Sequence, residues 1–175
     1  MNEVLKTIEE RRSIRSFKPD MPSKEDIEKV INAGLYAPSG MGRQSAIIVA
    51  VTDKKLRDEI SADNAKVAGM KEGSDPFYGA PVILIVLAKK DVPTHVYDGS
   101  LAIGNMLLAA QSLGLGSIWI HRAKEEFETG KYKEFLKSLG IDGEYEGIGH
   151  VALGYTKGNV PAPAKRNDNR VFWAE

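Results

Sequence analysis

The sequence contains 175 residues, of which 42% are hydrophobic and 27% are charged, as expected for one ordinary soluble domain. Its 24 basic and 24 acidic residues give a formal net charge of zero, so no overall field attracts nucleic acid or an acidic membrane. The absence of cysteine excludes disulfides, thiolate catalysis and cysteine-ligated metal sites. The first residues do not resemble a signal peptide, and the longest apolar run, residues 81–88, is too short to span a bilayer. We therefore expect a cytoplasmic protein with neither nucleic-acid nor membrane partners.

The first half of the chain is predicted to contain two helices, a strand and a third helix. Apolar residues at helical spacing predict a helix over residues 3–12. Ser23 is the expected N-cap of a second helix, which should end at residue 37 because Pro38 disfavours helical geometry in the residue before it. The segments that follow are a loop at residues 37–44, a buried strand at 46–52, a mainly polar helix at 53–70 and a mobile connection at 71–79.

The second half should contain the core. The β-branched run at residues 81–88 predicts a central strand that is buried on both faces. Asp98 is the expected cap of a helix that runs to Leu113 and, being apolar on more than one side, forms the buried centre of the fold. The remaining segments are a strand at residues 115–121, an amphipathic helix at 124–139, a strand at 148–155 and an extended tail at 156–175. This alternation predicts a single domain over residues 1–175, built as an α/β or α+β three-layer sandwich.

The most distinctive segment is residues 10–17, which brings three guanidinium groups and two hydroxyls together after the first helix. Arginine presents a planar fork of donors that matches phosphate oxygens, so Arg11, Arg12 and Arg15 suit a phosphate or another compact anion. A solvated basic turn is the alternative, and the segment alone favours it. The role of the terminal aromatic pair, Phe172-Trp173, also has more than one interpretation. The pair could dock on its own core, fray, or add to another subunit.

Several segments, taken in order, resemble the FMN-dependent nitroreductase family. They are Arg11 to Phe17, Ala37 to Gly40 with Gln44, Ala80-Pro81, Asp98 with Asn105 to Ala110, Gly114 to Ile120, Gly154-Tyr155, and Lys165-Arg166 with Val171 to Trp173. The resemblance implies an α+β subunit with a mixed sheet flanked by helices around a long central helix. It also implies an interlocked homodimer with two FMN molecules at the interface, in which residues 156–175 wrap the partner.

The resemblance also assigns roles to individual residues. Arg11, Arg12 and Ser13 match the residues that hold the FMN phosphate and ribityl chain, and Lys165 with Arg166 matches a late basic pair that completes the phosphate site. Arg15 matches a position at the pyrimidine edge of the flavin, where a cation stabilises the negative charge that develops on reduction. The remaining candidates are the loop that covers the flavin from the other subunit, Pro38, Ser39, Gly40 and Met41 with Gln44, and the backbone beside the ring, Ile120, His121 and Arg122. Gly42, Ser45 and Ala46 depart from the family loop.

The implied activity is hydride transfer from NADH or NADPH through flavin N5 to an electron-poor small-molecule acceptor, such as a nitroaromatic or a quinone, in a ping-pong reaction. Two alternatives remain: a non-catalytic FMN protein for storage, sensing or partner binding, and a phosphate-binding domain that shares only the fold.

The histidines give weaker signals. We expect His95 in an exposed loop, His150 in a structural role at the start of the last strand, and His121 either contacting the flavin or packing at a strand end. No pair has metal-ligand spacing with a third ligand, so no metal site is predicted. Trp119 and Trp173 are expected in core and dimer packing.

Overall fold

The computed structural model describes all residues from Met1 to Glu175. It contains six α-helices, four β-strands and one short 3-10 turn. In chain order the elements are α1 (Glu3–Glu10), α2 (Lys24–Leu35), a 3-10 turn (Gly40–Gly42), β1 (Ala46–Val51), α3 (Lys54–Val67), β2 (Val82–Lys89), α4 (His95–Ser112), β3 (Gly116–Ile120), α5 (Ala123–Phe127), α6 (Gly130–Ser138) and β4 (Tyr145–Gly154). No helix is both long and apolar enough to span a membrane.

The four strands form one sheet in the order β1-β2-β4-β3, with every neighbouring pair antiparallel. The only parallel pairing is an isolated bridge between Ser13 and Ser117, at the outer edge of β3. The α+β class is therefore confirmed, and the expected mixed character of the sheet is limited to this bridge. Strands β1 and β3 form the two edges, so the segments next to them lie on opposite sides of the molecule.

Helices cover both faces of the sheet, which confirms the three-layer arrangement. Alternate residues of β2 point to opposite faces, as the two-residue period of a strand requires. Ile83, Ile85 and Leu87 pack in a cluster with residues of α3, α5 and α6. Val82, Leu84, Val86 and Ala88 pack on the other face with residues of α2 and α4. Strand β2 is completely buried up to Ala88, which confirms the prediction of a central strand buried on both faces.

Three predicted elements need correction. Helix α4 begins at His95, so Asp98 does not cap it but lies buried in its first turn, and His95 is a half-buried helical residue instead of part of an exposed loop. The predicted helix at residues 124–139 is two helices, α5 and α6, which meet at Thr129. Strand β4 starts at Tyr145, which places His150 in the middle of the strand instead of at its start.

Within the connection at residues 71–79, Asp75 is hydrogen-bonded to α3. Asp75 accepts hydrogen bonds from the buried Arg57 at 2.7 Å and from Ser61 at 2.7 Å. It also accepts the backbone N–H groups of Phe77 at 2.9 Å and Gly79 at 2.7 Å. Burial alone would raise the pKa of the Asp75 carboxyl, but the hydrogen bonds from Arg57, Ser61 and Gly79 lower it overall.

The tail leaves the body of the subunit after Lys157, whose N–H donates to Ser16. The residues beyond it form no helix or strand and are all exposed. Phe172 and Trp173 are 86% and 84% exposed, so the first of the three possibilities for the terminal aromatic pair, docking on its own core, is excluded. Trp119 is also more exposed than predicted, because it belongs to the edge strand β3, from which its ring covers Gly149 of β4.

Candidate cofactor site

Residues 10–17, called the arginine segment below, lie along the outer edge of β3. The Ile14 N–H donates to the Ser117 carbonyl at 3.1 Å, and the side chains of Ile14 and Phe17 are buried in the core. These two apolar anchors leave Arg15 and Ser16 exposed between them. The segment is therefore held as an extended edge whose polar residues remain available to a ligand.

Arg11 has the electrostatic character of an anion site. Its Nη1 atom is buried and has no hydrogen-bond partner. Burial lowers the pKa of its guanidinium, and the neighbouring positive charges of Arg12 and Arg166 lower it further. A buried donor without a partner, among charges of its own sign, is costly for the protein alone. A phosphate would satisfy the donor and remove the repulsion.

The other predicted phosphate ligands differ in how many hydrogen bonds they already make within the protein. Arg12 is partly committed, because its Nη1 donates to the carbonyls of Glu9 at 2.6 Å and Arg11 at 2.7 Å, which fixes the exit from α1. The positive charge of Arg166 in the tail lies near enough to lower the pKa of Arg11, whereas Lys165 is exposed and makes no hydrogen bond or ion pair. Four of the candidates therefore come together at one edge of the sheet: Arg11, Arg12, Ser13 and Arg166.

The loop at residues 38–45, which precedes β1, is hydrogen-bonded to Asp98. Gly40 N–H donates to Oδ1 of Asp98 at 2.9 Å, and Ser45 Oγ donates to Oδ2 at 2.6 Å. Ser39 Oγ accepts the N–H of Gln44 at 2.9 Å, which closes the loop on itself. Burial raises the pKa of the Asp98 carboxyl, but the bonds from Ser45, Gly40 and Thr94 outweigh it and lower the pKa overall.

The third candidate segment, residues 120–122, ends β3. Asn64 of α3 is buried and donates its amide to the His121 carbonyl at 2.9 Å. Arg122 has a left-handed backbone, with φ of 79°, and its side chain pairs with Glu125 at 2.7 Å. The positive charge of Arg122 is therefore neutralised locally, and the exposed His121 side chain makes no protein contact that fixes it. The backbone of this segment is held in place more firmly than its side chains.

One copy of the chain does not bring all these residues together. The arginine segment adjoins Ser117, which pairs with Leu153 of β4, whereas the loop precedes Ala46 at the β1 edge. Three interstrand spacings of about 4.8 Å separate the two edges, so they lie about 14 Å apart across the sheet. The strand registers also place the arginine segment and the loop at opposite ends of the sheet. The arginine segment and residues 120–122 share an edge, and the loop is remote from both.

A buried polar pair between His150 of β4 and Glu126 of α5 was missed by the sequence analysis. His150 Nε2 and Glu126 Oε2 are 2.5 Å apart, and both side chains are fully buried. His150 Nδ1 and Glu126 Oε1 have no partners. Phe77 packs edge-on against the imidazole, with ring centroids 5.4 Å apart. No sequence signal pointed to this pair, because its members lie 24 residues apart on different elements. No group of three or more histidine or acidic side chains is placed to hold a metal ion.

Comparison with known proteins gives the class of this fold. The Nitroreductase family model matches residues 8–155. A crystal structure of a nitroreductase with bound FMN from Bacteroides fragilis superposes with a TM-score of 0.92 at 29% identity, covering 100% of both chains. An FMN-bound nitroreductase from Desulfitobacterium hafniense gives 0.88 at 32% identity, also covering 100% of both chains.

The same result is reached from sequence. A protein of Archaeoglobus fulgidus that carries the provisional name NADH dehydrogenase/NAD(P)H nitroreductase is 34% identical over 160 residues, which is 90% of this chain and 87% of that protein. The chain belongs to the nitroreductase family.

Proposed function

We propose that this protein is an NAD(P)H-dependent FMN oxidoreductase that works as a homodimer and reduces an electron-poor small molecule, such as a nitroaromatic or a quinone. The observation that carries the proposal is the unpartnered, buried Nη1 of Arg11 beside Arg12 and Arg166. A phosphate monoester supplies the charge and the acceptor oxygens that this cluster lacks. The FMN-bound relatives from Bacteroides fragilis and Desulfitobacterium hafniense support FMN as its source.

Each segment has a role in this proposal. Arg11, Arg12, Ser13 and the tail pair Lys165-Arg166 bind the phosphate and the adjoining ribityl hydroxyls. Arg15 is exposed and free of hydrogen bonds, so it can reach the pyrimidine edge of the flavin and stabilise negative charge there. The backbone at residues 120–122, which Asn64 holds at the His121 carbonyl, would lie beside the ring. FMN held by these residues would supply the redox chemistry, which is hydride transfer from a nicotinamide to the acceptor.

The homodimer completes the site. The loop of Pro38, Ser39, Gly40, Met41 and Gln44 is remote from the arginine segment of its own chain, so in this proposal it covers the flavin of the partner subunit. Met41 is 88% exposed, as expected for a side chain that packs across an interface. The exposed apolar residues of the same chain, on α1 and at the end of the tail, are available for that interface; they are Val4, Leu5, Ile8, Val171, Phe172 and Trp173.

An anaerobic spectral titration tests the activity. The protein reconstituted with FMN is mixed with NADH or NADPH without oxygen, and a nitroaromatic or a quinone is then added. We expect the visible absorption band of the flavin, at roughly 450 nm, to bleach and then return. A yellow protein that neither nicotinamide bleaches would indicate a non-catalytic FMN protein, and failure to retain FMN would indicate a phosphate-binding domain.

A further inference from the structure

We propose that Asp98 is a positioning residue for FMN binding, and that it acts on the site of the opposite subunit. In this role it locks the loop at residues 38–45 in the shape that covers the partner's flavin. The inference rests on the proposed function, since it requires an FMN site shared between subunits. It also explains a buried carboxylate that the sequence analysis treated as a helix cap.

The geometry commits the Asp98 side chain to the loop. It is 4% exposed and lies in the first turn of α4, yet it receives the Gly40 N–H and the Ser45 hydroxyl from the loop. Thr94 adds a third, longer hydrogen bond at 3.2 Å. A buried carboxylate with three donors is well compensated, and two of these donors belong to a loop that makes no other hydrogen bond to α4.

The loop packs directly against the start of α4 at Gly40. A Cβ at this position would lie 2.2 Å from Thr94 Oγ1, so any side chain larger than glycine would push the loop away from Asp98. The close approach and the two hydrogen bonds act at the same point. The position of Gly40, and with it the start of the 3-10 turn, is therefore fixed by α4.

The segment between the two anchors is strained. Met41 and Gln44 have φ of 55° and 49°, in the left-handed region that costs a side-chain-bearing residue about 1 kcal/mol each. Such strain persists only where the surroundings fix the backbone. With Gly40 and Ser45 released from Asp98, Met41 can relax to an ordinary conformation. The loop would then no longer present Met41 outward to the partner.

Substitution of Asp98 tests the loop directly. We expect Asp98→Ala to raise the FMN Kd of the homodimer by about tenfold because it removes both loop anchors, and Ser45→Ala to raise it by about threefold because it removes one. Hydrogen exchange of the peptide spanning residues 38–46 in the FMN-free protein should accelerate in the same order. Asp91→Asn, at an exposed aspartate without hydrogen bonds, is the matched control and should change neither measurement.

A mixed dimer tests action across the interface. Differently tagged subunits are co-expressed, one carrying Asp98→Ala and the other carrying both Arg11→Ala and Arg15→Ala. In the proposed arrangement one site receives every lesion and the other receives none. We expect half of the sites to bind FMN with the wild-type Kd, although neither parent homodimer contains such a site.

Two results would overturn the inference. If no wild-type site appears in the mixed dimer, Asp98 acts within its own subunit or only through general stability. If the Ser45→Ala protein is folded and shows faster exchange at residues 38–46 but an unchanged FMN Kd, the loop does not contribute to binding. Failure of the proposed function is distinct from both results, because the wild-type protein would then retain no FMN at all.

Discussion

Replacement of Arg11 by methionine should have opposite effects on stability and on FMN binding. Methionine keeps the apolar stem of the side chain and removes only the charge and the donors. In the FMN-free protein the guanidinium has a buried, unpartnered Nη1 and repels Arg12 and Arg166. We therefore expect Arg11→Met to leave the FMN-free protein as stable as the wild type, or more stable by up to about 1 kcal/mol, a modest figure because the group is only partly buried.

The loss of affinity should be much larger than this gain. A hydrogen bond to a charged group contributes about 1.5–3 kcal/mol. A factor of ten in Kd corresponds to about 1.4 kcal/mol, so the loss of one such bond to the FMN phosphate weakens binding by roughly 10- to 100-fold. Loss of a bidentate contact would weaken it further. An arginine stays charged at any ordinary pH, and a phosphate monoester carries two charges above its second pKa of about 6, so the effect should not vary between about pH 7 and pH 8.

Two measurements on one preparation check this prediction. Calorimetric titration with FMN gives the Kd, and urea unfolding of the FMN-free protein gives its free energy of unfolding. Lys137→Met is the matched control, because Lys137 is an exposed cation on α6, away from the arginine segment. An Arg11→Met protein with unchanged FMN affinity would refute the phosphate assignment. A protein that loses affinity only because it is less stable would refute the electrostatic reasoning.

Three further predictions concern the rest of the chain. A chain that stops after Tyr155 should sediment as a monomer, because the exposed tail is proposed to wrap the partner; a tight dimer would exclude this role. Since the pKa of Asp75 is lowered in the folded state, its contribution to stability is complete above its unfolded pKa of about 3.9 and is lost as the pH falls through the lower folded pKa. Urea unfolding of the wild type should therefore lose more stability than Asp75→Asn between about pH 5 and pH 2, and equal losses would contradict the assignment. Glu126→Leu should lower the free energy of unfolding in urea by about 3–5 kcal/mol, because it leaves His150 buried without a partner. The double variant Glu126→Leu with His150→Phe should lose less stability than Glu126→Leu alone, and losses that simply add would contradict this.

Local sequence patterns predicted most of the fold, because the forces involved act over a few residues. Ser23 caps α2 as expected, accepting the Asp26 N–H at 3.1 Å. The apolar run at residues 81–88 became the buried central strand β2. The break at Thr129 was not visible, because the apolar spacing of residues 124–139 continues through it while the backbone turns.

The predictions that failed depended on contacts between distant parts of the chain. Aspartate is a common helix-capping residue, so the sequence suggests that role for Asp98. Only the folded structure shows that its partners lie 53 and 58 residues away. The hydrogen bond from Arg57 to Asp75 and the buried pair of Glu126 with His150 are likewise contacts between distant parts of the chain, which the sequence does not show. The individual site residues taken from the family resemblance stay predictions. The structure places Arg12, Ser13 and Arg166 near Arg11 and holds the covering loop elsewhere.

The crystal structure of the FMN complex is the most direct test of the shared site. Our account predicts the FMN phosphate about 3 Å from Nη1 of Arg11 in one subunit, at the distance of a charged hydrogen bond. It also predicts Gly40 and Met41 of the other subunit over the flavin ring. A phosphate bound away from Arg11, or a loop and an arginine segment from one chain around the same flavin, would contradict it.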